Sequence, residues 1–188
     1  MKKILVLLVC LFSVALVSGQ VSFFSESMGT PAVTTLVNSY SGWQNSPPVL
    51  FSSTGTQSDV RTSSPSAGYT GATGNGNIFM GTAGTNARDF VITGINTAAY
   101  TAIELSFGVL TNTANTMVTV EYSTDGTSYL ALTVSNIIAA NTWTLKTATG
   151  TIPSGSNISL RFSKNAAVQF RIDDVMLNGI PAGTPDIV

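Results

Sequence analysis

Two adjacent carboxylates near the end of the chain are the side chains whose position points most directly to chemistry. Asp173 and Asp174 lie in the run Phe-Arg-Ile-Asp-Asp-Val at positions 170–175. If the phenylalanine and isoleucine of this run point into a core, the alternation of a β-strand places Asp174 inward as well, with Asp173 outward. An unpaired carboxylate in a low-dielectric interior costs on the order of several kcal/mol, so a cation, a basic partner or hydrogen-bond donors must compensate it.

Calcium is one ion that could compensate such a charge, because it prefers carboxylate and carbonyl oxygens as ligands. Glu26, at the end of the predicted first strand, is the natural further ligand, since the first and last strands of a two-sheet sandwich often pair. We therefore predict a structural calcium site formed by Glu26, Asp173 and Asp174. The alternative is that a β-bulge resets the alternation, so that Asp174 caps a turn or pairs with Arg161 or Arg171.

The chain lacks the residues of the common catalytic arrangements. It has no histidine, and its only cysteine is Cys10, which excludes Ser-His-Asp and Cys-His sites and zinc sites built from histidine and cysteine. A carboxylate pair for glycoside cleavage remains conceivable, for example Glu104 with Glu121. Both glutamates, however, occupy the polar phase of amphipathic strands, where a solvated side chain is expected. The sequence therefore predicts a protein that is not an enzyme.

Positions 1–19 have the pattern of a secretory signal peptide. A pair of lysines precedes an apolar run at positions 4–17, and the small residues Ser18 and Gly19 follow it. This order predicts cleavage after Gly19, and the apolar run is shorter than the roughly 20 residues that a membrane-spanning helix needs. A lipoprotein signal that uses Cys10 is the alternative. We expect a protein that is secreted or held at the outer cell surface, with no membrane span in the mature chain.

Charge is scarce in the rest of the chain. Charged residues make up 9% of the sequence, and without the two N-terminal lysines six basic residues remain against nine acidic ones. No basic stripe exists that could follow a phosphate backbone, so nucleic acid is not an expected partner. Because the mature chain would contain no cysteine, packing or a bound ion rather than disulfides must stabilise it.

Alternation of apolar and polar residues with a period of two dominates the second half of the chain. The run Ile-Glu-Leu-Ser-Phe at 103–107 is one example, and each such run predicts a strand with one face in the core. No stretch shows sustained helical periodicity. About ten short strands within positions 20–179 predict an all-β domain, a two-sheet antiparallel jelly-roll sandwich. Positions 180–188, with two prolines and a glycine, are predicted to be a tail or the start of a linker.

The two ends of this predicted domain carry motifs of known jelly-roll families. The segment Phe-Phe-Ser-Glu at 23–26, followed by Trp43, and the segment Arg-Ile-Asp-Asp-Val-Met-Leu-Asn-Gly at 171–179 resemble two groups. These are the MAM-type jelly roll and the cleaved-adhesin-like, galactose-binding-like jelly rolls of large secreted bacterial surface proteins. A serine separates the aromatic residues from Glu26, and the cysteines of animal MAM domains are missing, which favours the bacterial group. The resemblance implies a structural calcium between the terminal strands, matching Glu26 and Asp174.

Aromatic side chains are the remaining candidates for ligand binding. Flat rings at the edge of a sandwich can stack on sugar faces, while Asn, Gln and Asp bond the hydroxyls. For each ring alone, packing in the core or against a loop is the competing interpretation, above all for tryptophan. The predicted ligand-binding residues, in or beside loops, are Tyr40, Trp43, Tyr69 and Tyr129.

These features together predict a non-catalytic carbohydrate-binding or adhesion module with a structural calcium site, whose partner is a glycan or a surface polymer. The alternative is a purely structural spacer or accessory β-domain of a surface protein that binds no small ligand. Burial of Trp43 and of all the tyrosines would favour the spacer.

Overall fold

The computed structural model describes residues 19–54, 58–82, 87–164 and 167–183. Most of the predicted signal peptide and the end of the predicted tail lie outside these residues. Within them the chain forms β-strands and one turn of 3-10 helix at Val37–Ser39, and it has no α-helix. The strands are β1 (Val21–Glu26), β2 (Thr35–Leu36), β3 (Leu50–Ser52), β4 (Ser58–Arg61), β5 (Asn77–Met80), β6 (Arg88–Ile95), β7 (Tyr100–Thr111), β8 (Thr119–Ser123), β9 (Leu130–Leu132), β10 (Thr144–Ile152), β11 (Ile158–Lys164) and β12 (Phe170–Pro181).

The strands form two antiparallel sheets packed face to face. One sheet has seven strands in the order β10-β7-β12-β5-β4-β2, with β1 paired to β12, and the other has five in the order β3-β6-β11-β8-β9. Phe162 of the five-stranded sheet packs edge-on against Phe107 of the seven-stranded sheet, with ring centroids 5.0 Å apart. The arrangement confirms the predicted all-β, two-sheet antiparallel sandwich. No helix in the described part of the chain is long and apolar enough to cross a membrane.

Alternation predicts the buried face correctly in the central strands and less well at the sheet edges. Leu105, Leu160 and Ile172 are fully buried between the sheets. Leu130 on β9 and Leu145 on β10, which the same pattern places inward, are 59% and 39% exposed. Leu130 lies on a terminal strand of its sheet, where only one side has a neighbouring strand. Leu145 pairs with Gly108 and lies on the outer face of the seven-stranded sheet, so the expected phase of β10 is wrong there.

The last strand departs from strict alternation at one point. The register of β12 against β7 shifts between Asp173 and Met176, and Asp174 has a positive φ of 49°. The predicted inward position of Asp174 is therefore wrong, because a β-bulge interrupts the alternation at this residue. Asp173 does lie on the outer face, opposite Gly108, yet it is fully buried there. The alternative of a β-bulge is thus confirmed.

The last strand also extends further than the predicted domain. Ile180 and Pro181 still pair with Thr101 and Tyr100 of β7, so the strand ends two residues beyond the predicted boundary at 179. The first part of the predicted tail therefore belongs to the sheet.

Replacement of Phe162 by alanine should show how much the contact between the sheets contributes to stability. The side chain is fully buried, and Phe162→Ala should lower the free energy of unfolding by about 3–5 kcal/mol, measured by denaturant titration. Leu130→Ala, at an exposed position, should change it by about 0.5 kcal/mol or less. Equal losses for the two variants would contradict this core.

Candidate functional site

Glu26 is the last residue of β1, and its side chain accepts hydrogen bonds from the backbone at residues 28 and 44–45. Its carboxylate is 1% exposed. Oε1 accepts a hydrogen bond from the Met28 N–H at 3.0 Å, and Oε2 accepts from the Gln44 N–H at 3.0 Å and from both the backbone and side-chain amides of Asn45. Burial raises the pKa of this carboxyl, while the bonds from Asn45, Gln44 and Met28 act in the opposite direction. The prediction that Glu26 lies beside the last strand holds, since it pairs with Val175.

Asp173 accepts fewer hydrogen bonds from the described residues than the two other carboxylates of this region, Glu26 and Asp174. Its Oδ1 accepts the backbone N–H of Asp174 at 2.8 Å, but Oδ2 is buried and has no hydrogen-bond partner among the described residues. Burial raises the pKa of the carboxyl to about 8, and the negative charges of Asp174 and Glu26 act in the same direction, while the nearby Ser66 hydroxyl and the Asp174 N–H lower it. Near neutral pH this group must therefore hold a proton or face a cation.

Asp174 anchors the segment at residues 66–73 over the outer face of the seven-stranded sheet. Its carboxylate accepts hydrogen bonds from Ser66 Oγ at 3.1 Å, from the Tyr69 hydroxyl at 2.5 Å and from Thr73 Oγ1 at 2.7 Å. The bulge turns the Asp174 side chain toward these donors. It requires a left-handed backbone conformation, which aspartate adopts more readily than most residues.

The two arginines considered as partners of Asp174 are engaged elsewhere. Arg161 bonds to Glu121, and the Arg171 guanidinium donates to Asn77 Oδ1. Asp174 therefore acts as a loop anchor that is satisfied by hydroxyl and amide donors.

The aspartate pair coincides with a change of partner along β12. Residues 170–172 pair with β5, whereas residues 175–179 pair with β1. Because β7 occupies the other side of β12 throughout, β1 and β5 share one side of it, and the aspartates lie at the gap between them. The Gly76 N–H bonds to the Gly29 carbonyl at 2.7 Å and links the two loops that meet at this gap.

Tyr69 lies beside a groove on the outer face of the seven-stranded sheet, which we call the Tyr69 groove. Its ring packs over Gly108 of β7 so closely that any Cβ there would collide with the hydroxyl. Burial and the bond to Asp174 raise the pKa of the Tyr69 phenol. The groove has a volume of about 220 Å³ and is lined by Ser25, Ser27, Gln44, Tyr69, Thr70, Gly71, Thr73, Leu145, Asp174 and Met176.

Trp43 and Tyr40 serve the interior rather than a surface. Trp43 is 9% exposed and stacks on Phe51 with ring centroids 4.3 Å apart, with Tyr40 edge-on at 4.9 Å. The Tyr40 hydroxyl donates to the Met28 carbonyl at 2.9 Å. The prediction that Trp43 is exposed to a ligand is therefore wrong, because its indole is buried at one end of the core.

A second groove lies on the outer face of the five-stranded sheet, and we call it the Arg161 groove. In the centre of this sheet Ser163 of β11 lies opposite Asp89 of β6 on one side and opposite Thr119 of β8 on the other. Arg161 follows two residues away on the same face. The groove has a volume of about 310 Å³ and is lined by Thr54, Ala87, Arg88, Asp89, Thr119, Arg161, Ser163 and Lys164.

The polar side chains of the Arg161 groove are held in place by one another. Arg161 Nε donates to Glu121 Oε2 at 2.7 Å, and its guanidinium lies 3.8 Å from the ring centroid of Tyr129. Asp89 accepts the Thr54 N–H and hydroxyl at 2.5 and 2.6 Å. The predicted ligand residue Tyr129 is thus next to a groove, but with Arg161 over its ring.

Sequence reasoning did not single out Arg161 and Asp89 as residues that line one groove. Both occupy the polar phase of their strands, which is a usable signal, but the register that joins the strands is not visible in the sequence.

The other chemical alternatives receive no geometric support. Glu104 lies on β7 of one sheet and Glu121 on β8 of the other, so they do not form a facing pair for glycoside cleavage. Within the described ranges, no three acidic, histidine or cysteine side chains come together as a ready-made metal site.

Comparison with known proteins identifies the fold. No protein-family model and no curated protein matches the sequence. The CBM22-1 xylan-binding domain from Paenibacillus barcinonensis superposes with a TM-score of 0.51 and 13% identity, over 89% of this chain and 99% of that one. The CBM22-1–GH10 modules of Clostridium thermocellum endo-1,4-β-D-xylanase 10B, complexed with xylohexaose, match with a TM-score of 0.50 and 12% identity, over 86% of this chain and 29% of that one.

Identities this low establish the fold alone. The likeness confirms the predicted jelly roll, of the kind found in carbohydrate-binding modules, and is consistent with the resemblance to galactose-binding-like jelly rolls.

The packing of Tyr69 on Gly108 can be tested by a double-mutant cycle. Gly108→Ala should force Tyr69 away from Asp174 and lower the free energy of unfolding by about 1–3 kcal/mol. In a Tyr69→Ala background the collision is absent, so the same substitution should cost at least about 1 kcal/mol less. Strictly additive losses in urea titrations would show that the two residues do not touch.

Proposed function

We propose that this domain is a non-catalytic glycan-binding module whose ligand lies in the Arg161 groove. The observation that carries the proposal is the set of oriented donors and acceptors on an open sheet face, with Asp89, Arg161, Ser163 and Thr119 as neighbours in the strand register. Sugar hydroxyls both donate and accept hydrogen bonds, so a mixture of carboxylate, guanidinium and hydroxyl groups suits them.

The distribution of charge supports this choice of face. In a chain with only 9% charged residues, Asp89, Glu121 and Arg161 gather on one sheet face, where solubility alone would not require them to be together. The structural neighbours add a further reason, because one is a xylan-binding domain and the other is in complex with xylohexaose. The lack of histidine and the separation of Glu104 from Glu121 support a role without catalysis.

Export to the cell exterior belongs to the same proposal. The predicted signal peptide at 1–19 would deliver the domain to a secreted or surface location, where glycans and surface polymers are available as partners. The spacer alternative is supported by the structural use of Trp43 and Tyr40, but Tyr69 and Tyr129 are only partly buried and lie beside grooves.

Blocking the groove should abolish glycan binding without unfolding the domain. We expect retardation of the protein in native gels that contain xylan or another polysaccharide of a panel, and Thr119→Trp should remove it because the indole fills the groove. The matched control Thr70→Trp places the same bulk in the Tyr69 groove and should leave binding intact.

The opposite pattern, with loss in Thr70→Trp alone, would move the ligand to the Tyr69 groove. No retardation by any polysaccharide would favour the spacer over the binding module.

We also propose a structural calcium ion at Asp173. The buried Oδ2 without a hydrogen-bond partner is a suitable hard ligand, and carbonyl oxygens and water could complete the coordination. Glu26 fits less well, since both of its oxygens already accept N–H groups. Asp174 does not fit, because its carboxylate is bonded by Ser66, Tyr69 and Thr73. When bound, calcium would supply the charge that keeps Asp173 ionised.

The calcium proposal predicts a stability that depends on pH and on chelator. In chelator the folded protein retains the Asp173 proton, with a pKa of about 8 instead of the usual 3.8, which the unfolded chain releases. Its stability should therefore fall as the pH rises from about 4 to about 8. Added calcium at pH 8 should restore the thermal midpoint.

Asp173→Asn should remove both the pH dependence and the calcium effect, while Glu104→Gln, which removes an exposed carboxylate from β7, serves as the control that retains them. A thermal midpoint at pH 8 that responds neither to chelator nor to calcium would exclude the ion.

A further inference from the structure

Arg161 lies on the central strand of the five-stranded sheet, and two neighbours orient its guanidinium. It stands opposite Glu121 of β8 in the antiparallel register, and its Nε donates to Glu121 Oε2 at 2.7 Å. Its Cζ lies 3.8 Å from the centroid of the Tyr129 ring. The two Nη amino groups make no hydrogen bond to any residue that the structure describes. They are therefore available as donors to a ligand in the groove.

Tyr129 is itself held in place by the chain on both sides of it. Before it, Asp125 Oδ1 accepts the backbone N–H groups of residues 127–128 at 2.8 and 2.7 Å. After it, Leu130 pairs with Tyr122 of β8. The backbone that carries the ring is thus fixed to the sheet, so the ring is a stable support for the guanidinium.

The guanidinium covers one face of the Tyr129 ring. A separation of 3.8 Å leaves no space for a sugar on that face, and Tyr129 is not among the residues that line the Arg161 groove. A cation over an aromatic ring is attracted by the negative face of the ring, and this attraction stabilises the arrangement. The covered face of the ring can therefore affect a ligand in the groove only through Arg161.

We propose that Tyr129 is a positioning residue, which raises the affinity of the groove for its glycan by holding Arg161 with its Nη groups directed to the ligand. The inference rests on the glycan-binding function and assigns a residue that acts without touching the sugar. A long side chain that moves freely must be immobilised when a ligand binds, which lowers the affinity. Tyr129 and Glu121 immobilise the planar guanidinium before the ligand binds, so little of this loss remains.

A thermodynamic cycle on Tyr129 and Arg161 tests the inference. The probe is the hexasaccharide with the backbone of the polysaccharide that retards the protein, xylohexaose in the case of xylan, titrated into purified protein in a calorimeter. Tyr129→Ala should weaken binding about fivefold, while Tyr129→Phe should keep the wild-type affinity because the ring remains. In an Arg161→Gln background, Tyr129→Ala should have no further effect. The matched control is Tyr100→Ala on the other sheet, which should leave the affinity unchanged.

A second measurement follows Arg161 without any ligand. Nitrogen-15 relaxation of the Arg161 Nε–H reports how well the side chain is ordered on the picosecond to nanosecond timescale. The order parameter should fall in Tyr129→Ala and return to the wild-type value in Tyr129→Phe. Tyr100→Ala should not change it.

Three results would overturn the positioning role of Tyr129. They are wild-type affinity in Tyr129→Ala, equal weakening by this substitution with and without Arg161, and an unchanged order parameter in Tyr129→Ala. Equal weakening would mean that the ring contacts the sugar directly. In each case, binding that Thr119→Trp abolishes would leave the glycan-binding function in place. If no polysaccharide retards the wild-type protein, the function fails and the inference fails with it.

Discussion

The last strand, β12, is the element on which the rest of the structure depends. It is hydrogen-bonded to β7 along one side and to both β5 and β1 along the other, so it ties the beginning of the domain to its middle. The change from β5 to β1 occurs at Asp173 and Asp174, where a bulge gives Asp174 a left-handed backbone. Buried polar groups at such a gap must find partners, because each unsatisfied one costs about 1–3 kcal/mol. The surrounding loops therefore supply hydrogen-bond donors to the carboxylates at the gap.

Two carboxylates accept the hydrogen bonds that hold these loops in place. The loops in turn cover much of the outer face of one sheet and leave that of the other open. Glu26 binds the backbone at residues 44–45, and Asp174 binds the segment that contains Ser66, Tyr69 and Thr73. That segment lies over the seven-stranded sheet, where it buries Asp173 and leaves only a small groove beside Tyr69. The five-stranded sheet has an open groove along its outer face, lined by Asp89, Arg161 and their neighbours. The loop anchors of one sheet thus leave the outer face of the other sheet open.

The sequence predicts the strands and the sandwich because alternation reflects burial directly, as at 103–107 and in β11. It also places Glu26 beside the last strand, because the first and last strands of a jelly roll often pair. It fails where the backbone is irregular: the bulge at Asp174 reverses the expected orientation, and burial of Trp43 depends on Phe51 and Tyr40 from other segments. The Arg161 groove was not predicted, since Asp89 and Arg161 are far apart in sequence and meet only through the strand register.

The central claim is that the outer face of the five-stranded sheet binds a glycan while the carboxylates at the gap in β12 hold the scaffold. Backbone amide chemical shifts, followed by NMR while a glycan that retards the protein in gels is titrated in, test this most directly. We expect the largest shift changes on β6, β8 and β11 around Asp89, Thr119 and Arg161. Changes concentrated instead at residues 66–74 and Asp174, with β11 unaffected, would contradict it.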